Sequence, residues 1–595
     1  MVVSPQTRKK RVAIIGSGLA GLSAAHLLLK KGNEEDEDVE VHIFEKAASI
    51  GMDSASIDVV GADGKVHRVD SPMRAVQGGY YTRLLKLYRD IGVQLEKSNF
   101  TYSFFELSSE PSSSSSSRRG DRRGLPSLLP SFPRESRCQT EEHTNGFVNG
   151  NAKPEYDKNN VQTSKKTTFI YNGGNGLNLR PVSFPSSTTT NATKLGSESF
   201  SIMDLLDIFY YIYDIVHVLF KASFFASCYI YLALLSFYHV FSSHTSPTST
   251  HPLSYSTLAS FLSRTYIPRS FIVEVIVPLF SCVATCSTEE VMAYPAGEIL
   301  EYIARTFGTD HYVVKGGVRN VLNGLLKDLP EENIHLGCEL VSLRRVRRPN
   351  HASHELEGER RLELKEASGQ TWHFDDVIFA TQANQARFLL ADYYKSLRDS
   401  EHPLDGSELN LEKERLDALG KFSYTTSIVI NHYDEENTLV EARSDRRILN
   451  LGRWSQQDIA SSLKLQETKL DRTKRLSKDY IMATHDLSIL HPDCRSPSTG
   501  AALLQTTNPT IEIKEDNIVS SQVFERAIMT LESKRTLKTF MRYPNTDGSE
   551  KKGCEAAYQG LGGIWFVGSW AAEGIPLLEG CVVSAERAVE AIRAY

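Results

Sequence analysis

Three glycines near the N-terminus have the spacing of a phosphate-binding turn. Gly16, Gly18 and Gly21 directly follow an apolar run of residues. Gly16 allows a tight turn, Gly18 lets the backbone approach a pyrophosphate, and Gly21 lets a helix pack closely against a strand. Glu45 stands 24 residues after Gly21, where its carboxylate can accept hydrogen bonds from the hydroxyls of a ribose. The pattern predicts a dinucleotide cofactor, and NAD and FAD share it.

Two later segments distinguish between these cofactors. Residues 45–54 and 563–585 resemble signatures of the flavin-containing amine oxidoreductase superfamily, which includes amine oxidases, phytoene desaturases and protoporphyrinogen oxidases. In the first segment Gly51 is present, but Met52 replaces the second glycine of the signature and Asp53 replaces the basic residue that usually follows. The resemblance implies non-covalent FAD, with Gly51 and backbone amides as contacts to the pyrophosphate.

The segment 563–585 resembles the closing motif of that superfamily. An apolar strand leads into Gly568, and the pair Glu579-Gly580 opens the last helix. A helix that starts here would point its amides and its positive end at the N1/C2=O edge of a flavin, and would stabilise the negative charge that develops there on reduction. Ser569 replaces an acidic residue that many relatives use to bind the ribityl and phosphate region.

Three more segments follow in the order typical of the superfamily. Residues 314–319 resemble the glycine pair before the helix that returns to the FAD domain. Residues 338–346 resemble the strand that pairs with adenine near Val341, and residues 376–381 resemble the strand that closes over the dinucleotide at Ala380. The resemblance therefore implies as cofactor contacts Gly16, Ser17, Gly18, Leu19, Ala20, Gly21, Glu45, Lys46, Gly51, Val341, Ala380, Gly568, Ser569, Glu579, Gly580 and Cys581. No metal site is predicted, because the eight cysteines lack paired ligand spacing.

The elements that must position these residues indicate an α/β fold. An apolar run at 12–16, a helical stretch at 19–31 and a second apolar run at 39–44 predict the opening strand, helix and strand of a Rossmann-like FAD-binding domain. The resemblance implies that this domain is discontinuous (GR2-type) and is joined to an α+β substrate domain. A serine-rich stretch predicts a disordered insertion, since it cannot bury enough apolar surface to offset its ordering entropy. The predicted division is 1–77, 305–385 and 555–595 for the FAD-binding domain, 78–107, 167–304 and 386–554 for the substrate domain, and 108–166 for the insertion.

The residues before the closing glutamate bear on the reaction. Flavin enzymes of this type move a hydride from a C–H bond to N5, and the pocket selects the bond. Monoamine-type oxidases place an aromatic residue two positions before the Glu-Gly pair, where this chain has Leu577. With Pro576 and Leu578, Leu577 favours a lipid, isoprenoid or polyketide-like substrate that is desaturated, oxidised or isomerised. Oxidation of a C–N bond stays open if aromatic walls come from elsewhere. Candidates for such walls are Trp570, Trp454, Tyr80 and Tyr424.

The sequence does not identify a catalytic base. The candidates for catalytic residues are Arg74, Tyr80 and Trp570. Arg74 could bind a substrate carboxylate through two hydrogen bonds or pair with a structural acid. The sequence has no second glycine fingerprint for NADPH, so oxygen or a membrane quinone is the expected electron acceptor. A flavin-bearing scaffold without catalytic activity is the alternative from another class of protein.

Composition and one apolar segment bear on partners and location. With 67 Lys and Arg against 73 Asp and Glu, the net charge of −6 argues against nucleic acid as a partner. The polar, basic N-terminus lacks the apolar run of a signal peptide, so a cytoplasmic location is expected. Residues 222–241 are apolar over a length that could cross a bilayer. A single crossing would separate the two halves of the flavin site. A helix on the cytosolic membrane surface, a re-entrant pair and a buried helix therefore stay open for the segment 201–241.

Overall fold

The computed structural model describes residues 9–30, 39–98, 100–109, 163–173, 202–245, 255–347, 360–399, 405–460, 478–541 and 558–594. Residues 110–162 of the predicted insertion 108–166 lie outside these ranges, so their disorder stays a prediction, whereas residues 108–109 and 163–166 belong to strands and are not disordered. The predicted domain boundaries also stay predictions.

The described strands and helices are as follows. The strands are β1 Lys10–Ile15, β2 Val39–Glu45, β3 Ile57–Val60, β4 Val66–Val69, β5 Ala75–Gln77, β6 Leu95–Lys97, β7 Tyr102–Ser109, β8 Thr163–Tyr171, β9 His311–Val314, β10 Ile334–Leu336, β11 Leu340–Arg347, β12 Arg360–Glu366, β13 Thr371–Phe374, β14 Asp376–Phe379, β15 Ser423–His432, β16 Leu449–Trp454, β17 Met482–Asp486, β18 Leu504–Thr507, β19 Ile518–Ile528 and β20 Ile564–Phe566. The helices are α1 Leu19–Leu29, α2 Thr82–Asp90, α3 Ile202–Thr245, α4 Leu258–Ser263, α5 Arg269–Phe271, α6 Val277–Ala284, α7 Thr288–Ala293, α8 Ala296–Thr306, α9 Arg319–Leu326, α10 Ala383–Arg398, α11 Gly406–Leu419, α12 Glu435–Thr438, α13 Leu487–Leu490, α14 Leu531–Phe540 and α15 Leu578–Ala594.

A five-stranded parallel sheet forms the first half of the molecule. Its strand order is β10-β2-β1-β14-β20. α1 and α15 cover one face, while α10 and the antiparallel sheet β11-β12-β13 cover the other. Val12, Ala13 and Ile14 in the central strand have no exposed surface, as expected of a parallel sheet covered on both faces. The strands come from three distant stretches of the chain, which confirms the predicted discontinuous Rossmann-like architecture.

A seven-stranded mixed sheet forms the second half. Its strand order is β19-β15-β18-β17-β16-β7-β8. Tyr102 lies opposite Leu449, Leu449 opposite His485, and His485 opposite Gln505. Because opposing residues of paired strands point to the same face, these four side chains form one row, called here the cavity row. The sheet and the helices around it have the α+β composition that was predicted, while their role in binding a substrate stays a prediction.

The apolar segment forms most of α3, one unbroken helix of 44 residues. At 1.5 Å per residue it is about 66 Å long. Residues Leu219–Ser242 are long and apolar enough to cross a membrane, and a third of them are buried in the protein. The ring of Phe225 packs against Phe169 and Phe271, with ring centroids 5.5 and 5.4 Å apart. The helix thus has one protein-facing and one exposed side. The re-entrant pair is wrong, since such a pair needs a chain reversal.

Candidate functional site

The glycine turn after β1 forms an open cradle. Gly16 has a φ of +104°, a conformation that favours glycine, and its amide donates to the carbonyl of Phe44 at 2.8 Å. A Cβ on Gly21 would overlap with the carbonyl oxygen of Gly16 and lie 3.1 Å from the Cβ of Ala380. A Cβ on Gly18 would meet no protein atom within 4 Å. The fold therefore requires glycine at 16 and 21, whereas Gly18 faces open space.

Glu45 fastens this turn to the loop after β2. Its Oε2 accepts hydrogen bonds from the N and Oγ of Ser17 at 3.0 and 2.6 Å, and its Oε1 accepts one from the amide of Ala47 at 2.9 Å. The Oγ of Ser17 accepts another from the amide of Gly51 at 2.7 Å. The structure thus brings Ser17, Glu45 and Gly51 together, and the contact of Glu45 with a ribose stays a prediction.

Three more of the predicted residues border the same turn. The amide of Ala380 donates to the carbonyl of Ile15 at 2.9 Å, which places the end of β14 beside Gly16. Leu19 and Ala20 are buried in the first turn of α1. Only their backbone amides can face a phosphate, as at other helix N-termini that bind anions.

The two residues predicted near the adenine differ in their surroundings. Val341 lies on β11 and keeps 40% of its surface exposed, so it is open to a ligand. Lys46 makes an exposed ion pair with Glu339 at 2.6 Å. Its ammonium group is therefore engaged with Glu339, and the contact of Lys46 with the cofactor stays a prediction.

The closing motif forms a strand, a turn and a helix. The amide of Gly568 donates to the Oγ of Ser584 on α15 at 2.9 Å. A Cβ on Gly580 would lie 2.9 Å from the carbonyl oxygen of Ser569, so that the turn and the helix touch only because residue 580 is glycine. Cys581 keeps some accessible surface in the first turn of α15, and burial raises the pKa of its thiol to about 12. The thiol stays protonated at neutral pH.

Glu579 has a structural role that the sequence did not reveal. Its carboxylate accepts hydrogen bonds from the amides of Arg83 and Leu84 at 2.8 and 2.9 Å and from the hydroxyl of Thr82 at 3.2 Å. The first amides of a helix lack partners within the helix, so Glu579 caps α2. Because the carboxylate is turned to α2, the backbone of its turn is left for a cofactor, and the contact of Glu579 with a flavin stays a prediction.

Two of the three candidate catalytic residues support the loop before α15. The buried hydroxyl of Tyr80 donates to the carbonyl of Ile575 at 3.3 Å and accepts from the amide of Ile575 at 2.9 Å. Trp570 is 2% exposed, and its Nε1 donates to the carbonyl of Thr381 at 2.9 Å. Both side chains are buried and their polar atoms have backbone partners, and their catalytic roles stay predictions.

Arg74, the third candidate, lies between the cradle and the second half of the molecule. Its Nη2 donates to the carbonyl of Met52, the neighbour of Gly51, at 2.6 Å. Its Nη1 is buried without a hydrogen-bond partner among the described residues. Burial lowers the pKa of the guanidinium, and the carboxylate of Asp70 opposes that shift. Arg74 is thus only partly satisfied by the protein.

One face of the seven-stranded sheet carries residues that lie deep in the molecule and yet keep accessible surface, which indicates an internal cavity. Tyr102 and His485 of the cavity row keep accessible surface, although burial raises the pKa of Tyr102 and lowers that of His485 to about 4. Tyr302 and Cys282 also lie deep in the molecule and keep some accessible surface. Both lie close enough to Tyr102 to help raise the pKa of its hydroxyl. The ring of Tyr302 lies 4.8 Å from that of Tyr80. Since Tyr80 is hydrogen-bonded to the loop before α15, these residues lie close to the closing motif.

Sequence analysis missed two polar residues of this region. His485 is neutral, and its Nδ1 has no hydrogen-bond partner in the part of the chain that the structure describes. Arg526 is on β19, opposite Thr425 of β15. Its buried Nε likewise lacks a hydrogen-bond partner among the described residues. A signal existed, since each is a polar residue that alternates with buried or aromatic residues along a strand.

Comparison with known proteins agrees with the architecture of the first half. The NAD(P)-binding Rossmann-like domain matches residues 14–91. No curated protein matches the chain. A solved structure similar to this chain is cyclohexylamine oxidase from Brevibacterium oxydans, at 11% identity and a TM-score of 0.47, with 98% of this chain and 99% of that chain covered. A second is putrescine oxidase, at 12% identity and a TM-score of 0.47, with 99% and 100% covered. A third is a proposed protoporphyrinogen oxidase from Exiguobacterium, at 12% identity and a TM-score of 0.44, with 98% and 99% covered. The chain therefore contains a Rossmann-like dinucleotide-binding domain, as its glycine spacing predicted.

Proposed function

We propose that the chain is an FAD-dependent oxidoreductase that transfers a hydride from an apolar substrate of lipid, isoprenoid or polyketide type to flavin N5. The substrate would thereby be desaturated, oxidised or isomerised. One observation carries this proposal, namely a series of neighbouring groups that runs from the cradle to an aromatic cavity. Ser17 contacts Gly51, Arg74 contacts the adjacent Met52, and Arg74 and Cys581 both lie beside Arg526. From there the cavity opens.

The described residues suit FAD. The open space at Gly18 and the amides of α1 suit a pyrophosphate, and the first turn of α15 can direct its partial positive charge at a flavin edge. Bound FAD would supply the hydride acceptor. Cys581 supports non-covalent binding, because a thiol with a pKa of about 12 is a poor nucleophile at neutral pH.

The residues at the start of α15 support an apolar substrate. Pro576, Leu577 and Leu578 keep accessible surface there. A charged ammonium group would meet the guanidinium groups of Arg74 and Arg526, and burying an unpaired charge costs several kcal/mol. An apolar chain would instead gain about 0.8 kcal/mol for each methylene that it buries.

Oxidation of a C–N bond is the second candidate, and the aromatic side chains of Tyr102 and Tyr302 favour it. They could align a neutral amine. Two of the walls first considered already contact other parts of the protein. Trp454 is buried in a separate cluster with Phe105, and the hydroxyl of Tyr424 accepts from the amide of Ala383 at 2.6 Å.

We further propose that α3 lies on the cytosolic surface of a membrane. Its exposed side carries Phe220, Ile230, Leu234 and Phe241, each more than half exposed. An amphipathic arrangement of this kind binds the interface in proportion to the apolar area that it buries. Such a position would give access to lipid substrates and to a quinone acceptor, with oxygen as the alternative acceptor.

The test is anaerobic reduction of the purified holoprotein. We expect a yellow protein whose flavin enters the supernatant on acid precipitation and is bleached by long-chain or isoprenoid compounds. Bleaching by primary or secondary amines alone would establish the amine oxidase alternative. A flavin that no compound of either class bleaches would support the inactive scaffold. Protein that stays colourless after refolding with FAD would refute the proposed function.

A further inference from the structure

The guanidinium of Arg526 lies inside the molecule and has no counter-charge among the described residues. Arg526 lies on the same face of the sheet as the cavity row. It stands six residues after Ser520 on β19, so both side chains point to one face. Ser520 lies opposite Asn431, which lies opposite Gln505 of the cavity row. Its side chain keeps some accessible surface, yet burial lowers the pKa of the guanidinium to about 10. Arg526 therefore has accessible surface on the same face of the sheet as the cavity row.

The acids of this region are engaged elsewhere. Glu525, the sequence neighbour of Arg526, points to the opposite face of the strand, where Asn384 donates to its Oε1 at 2.9 Å. Asp53 pairs with Arg68 and Arg319 at 2.9 and 3.1 Å.

Asp70 is the remaining acid. Its two oxygens accept from the amide of Val318, both at 3.0 Å, and it serves as counter-charge to Arg74. Within the described residues, Arg526 itself has no ion pair. Its charged neighbour is Arg74, so the two guanidinium groups repel each other and leave local positive charge uncompensated.

A ligand can supply the missing negative charge. We propose that Arg526, assisted by the free Nη1 of Arg74, binds the carboxylate of an amphipathic acid whose apolar chain lies along the cavity row. This inference rests on the proposed function and narrows the substrate class to long-chain or isoprenoid carboxylic acids. A planar guanidinium matches a carboxylate through parallel hydrogen bonds, and Tyr102, Leu449 and Tyr302 suit the chain behind it.

The position of Arg526 favours a substrate over a cofactor phosphate. Its strand belongs to the second half of the molecule, whereas the amides and glycines that suit a pyrophosphate belong to α1 and to the loop at Gly51. The phenyl ring of Phe524, 5.4 Å from the guanidinium carbon, adds an apolar surface on the same face of β19.

The test compares three ten-carbon probes on the holoprotein below their micellar concentrations, namely decanoate, decanol and decylamine. Calorimetry measures binding, and the flavin absorbance spectrum reports where the probe binds. We expect decanoate to bind more tightly than the other two. Arg526→Met should weaken the binding of decanoate by roughly 10- to 100-fold, the range for a hydrogen bond to a charged group. The affinity for decanol should stay unchanged. Arg526→Lys should retain part of the preference.

The matched control is Arg398→Met, which removes an exposed arginine that pairs with Asp399 at 2.9 Å and should change nothing. Equal binding of decanoate and decanol to the unmodified protein would overturn the proposal. Loss of FAD from Arg526→Met, with unchanged decanoate affinity in the holoprotein that remains, would also overturn it and assign Arg526 to the cofactor. Because calorimetry needs no turnover, acid binding by a protein whose flavin no lipid, acid or amine reduces would refute the oxidoreductase and leave the carboxylate site standing.

Discussion

Replacing Gly18 with alanine should separate folding from cofactor binding. Gly18 has φ −70° and ψ 178°, which any residue can adopt, and an added Cβ would touch no protein atom. Alanine lowers the entropy of the unfolded chain but is a poorer residue before a helix. We expect these opposing effects to leave the free energy of unfolding of the apoprotein within about 0.5 kcal/mol of its original value.

The same methyl group would occupy the space expected for the pyrophosphate. Overfilling a packed contact costs about 1–3 kcal/mol. This cost corresponds to a roughly 5- to 150-fold higher dissociation constant for FAD. Urea denaturation of the apoprotein measures the first quantity, and quenching of flavin fluorescence during titration measures the second.

Gly21→Ala is the contrasting variant. Its Cβ would overlap with the carbonyl oxygen of Gly16, so it should destabilise the apoprotein by about 3 kcal/mol or more. If Gly18→Ala binds FAD as tightly as the unmodified protein, the pyrophosphate does not lie at this turn. If Gly18→Ala unfolds like Gly21→Ala, the space in front of α1 is not open.

Three further predictions follow from α3, from a buried histidine and from Cys581. The double variant Ile230→Asp and Leu234→Asp should lose co-sedimentation with lipid vesicles at an unchanged melting temperature, whereas Leu232→Asp, at a position 3% exposed, should lower that temperature. Vesicle binding by the double variant would contradict the membrane position. His432 has a pKa of about 4 in the folded protein because of burial, against about 6.5 when unfolded, so the unfolded state binds more protons between these values. It should therefore add up to about 1.4 kcal/mol per pH unit to the loss of stability as pH falls below about 6.5. In urea denaturation at a series of pH values, the free energy of unfolding of His432→Gln should fall less steeply as the pH is lowered. Cys581→Ser should keep its yellow colour and release flavin on acid precipitation as the unmodified protein does; flavin bound covalently only in the latter would refute the non-covalent site.

The opening of the fold could be predicted because its signals are local. The apolar run at 12–16 became Lys10–Ile15, the helical stretch 19–31 became Leu19–Leu29, and the run 39–44 became Val39–Glu45. Glycine spacing and strand burial act within a few residues of each other, so a single sequence contains them. The order of the later motifs likewise predicted which strands complete the sheet.

The roles of Glu579, Lys46 and Arg526 could not be predicted, because they depend on partners far away in the sequence. Glu579 caps a helix about 500 residues earlier in the chain. Lys46 finds Glu339 only after β10 pairs with β2. The isolation of Arg526 depends on which face of β19 its neighbour Glu525 occupies. A charged residue in a sequence indicates chemistry, but its counter-charge is known only once the tertiary structure is known.

The discontinuous parallel sheet also determines when this protein can acquire a cofactor during synthesis. β1 pairs with β2 early, but its other neighbour, β14, lies more than 350 residues later, and β20 comes after residue 560. The glycine turn must therefore wait beside an open strand edge, which can pair with other chains, until β20, more than 500 residues later, has left the ribosome. Such distant pairings form slowly. A ligand that binds only the finished sheet stabilises it by mass action, so the supply of free flavin should set the yield of folded protein in the cell.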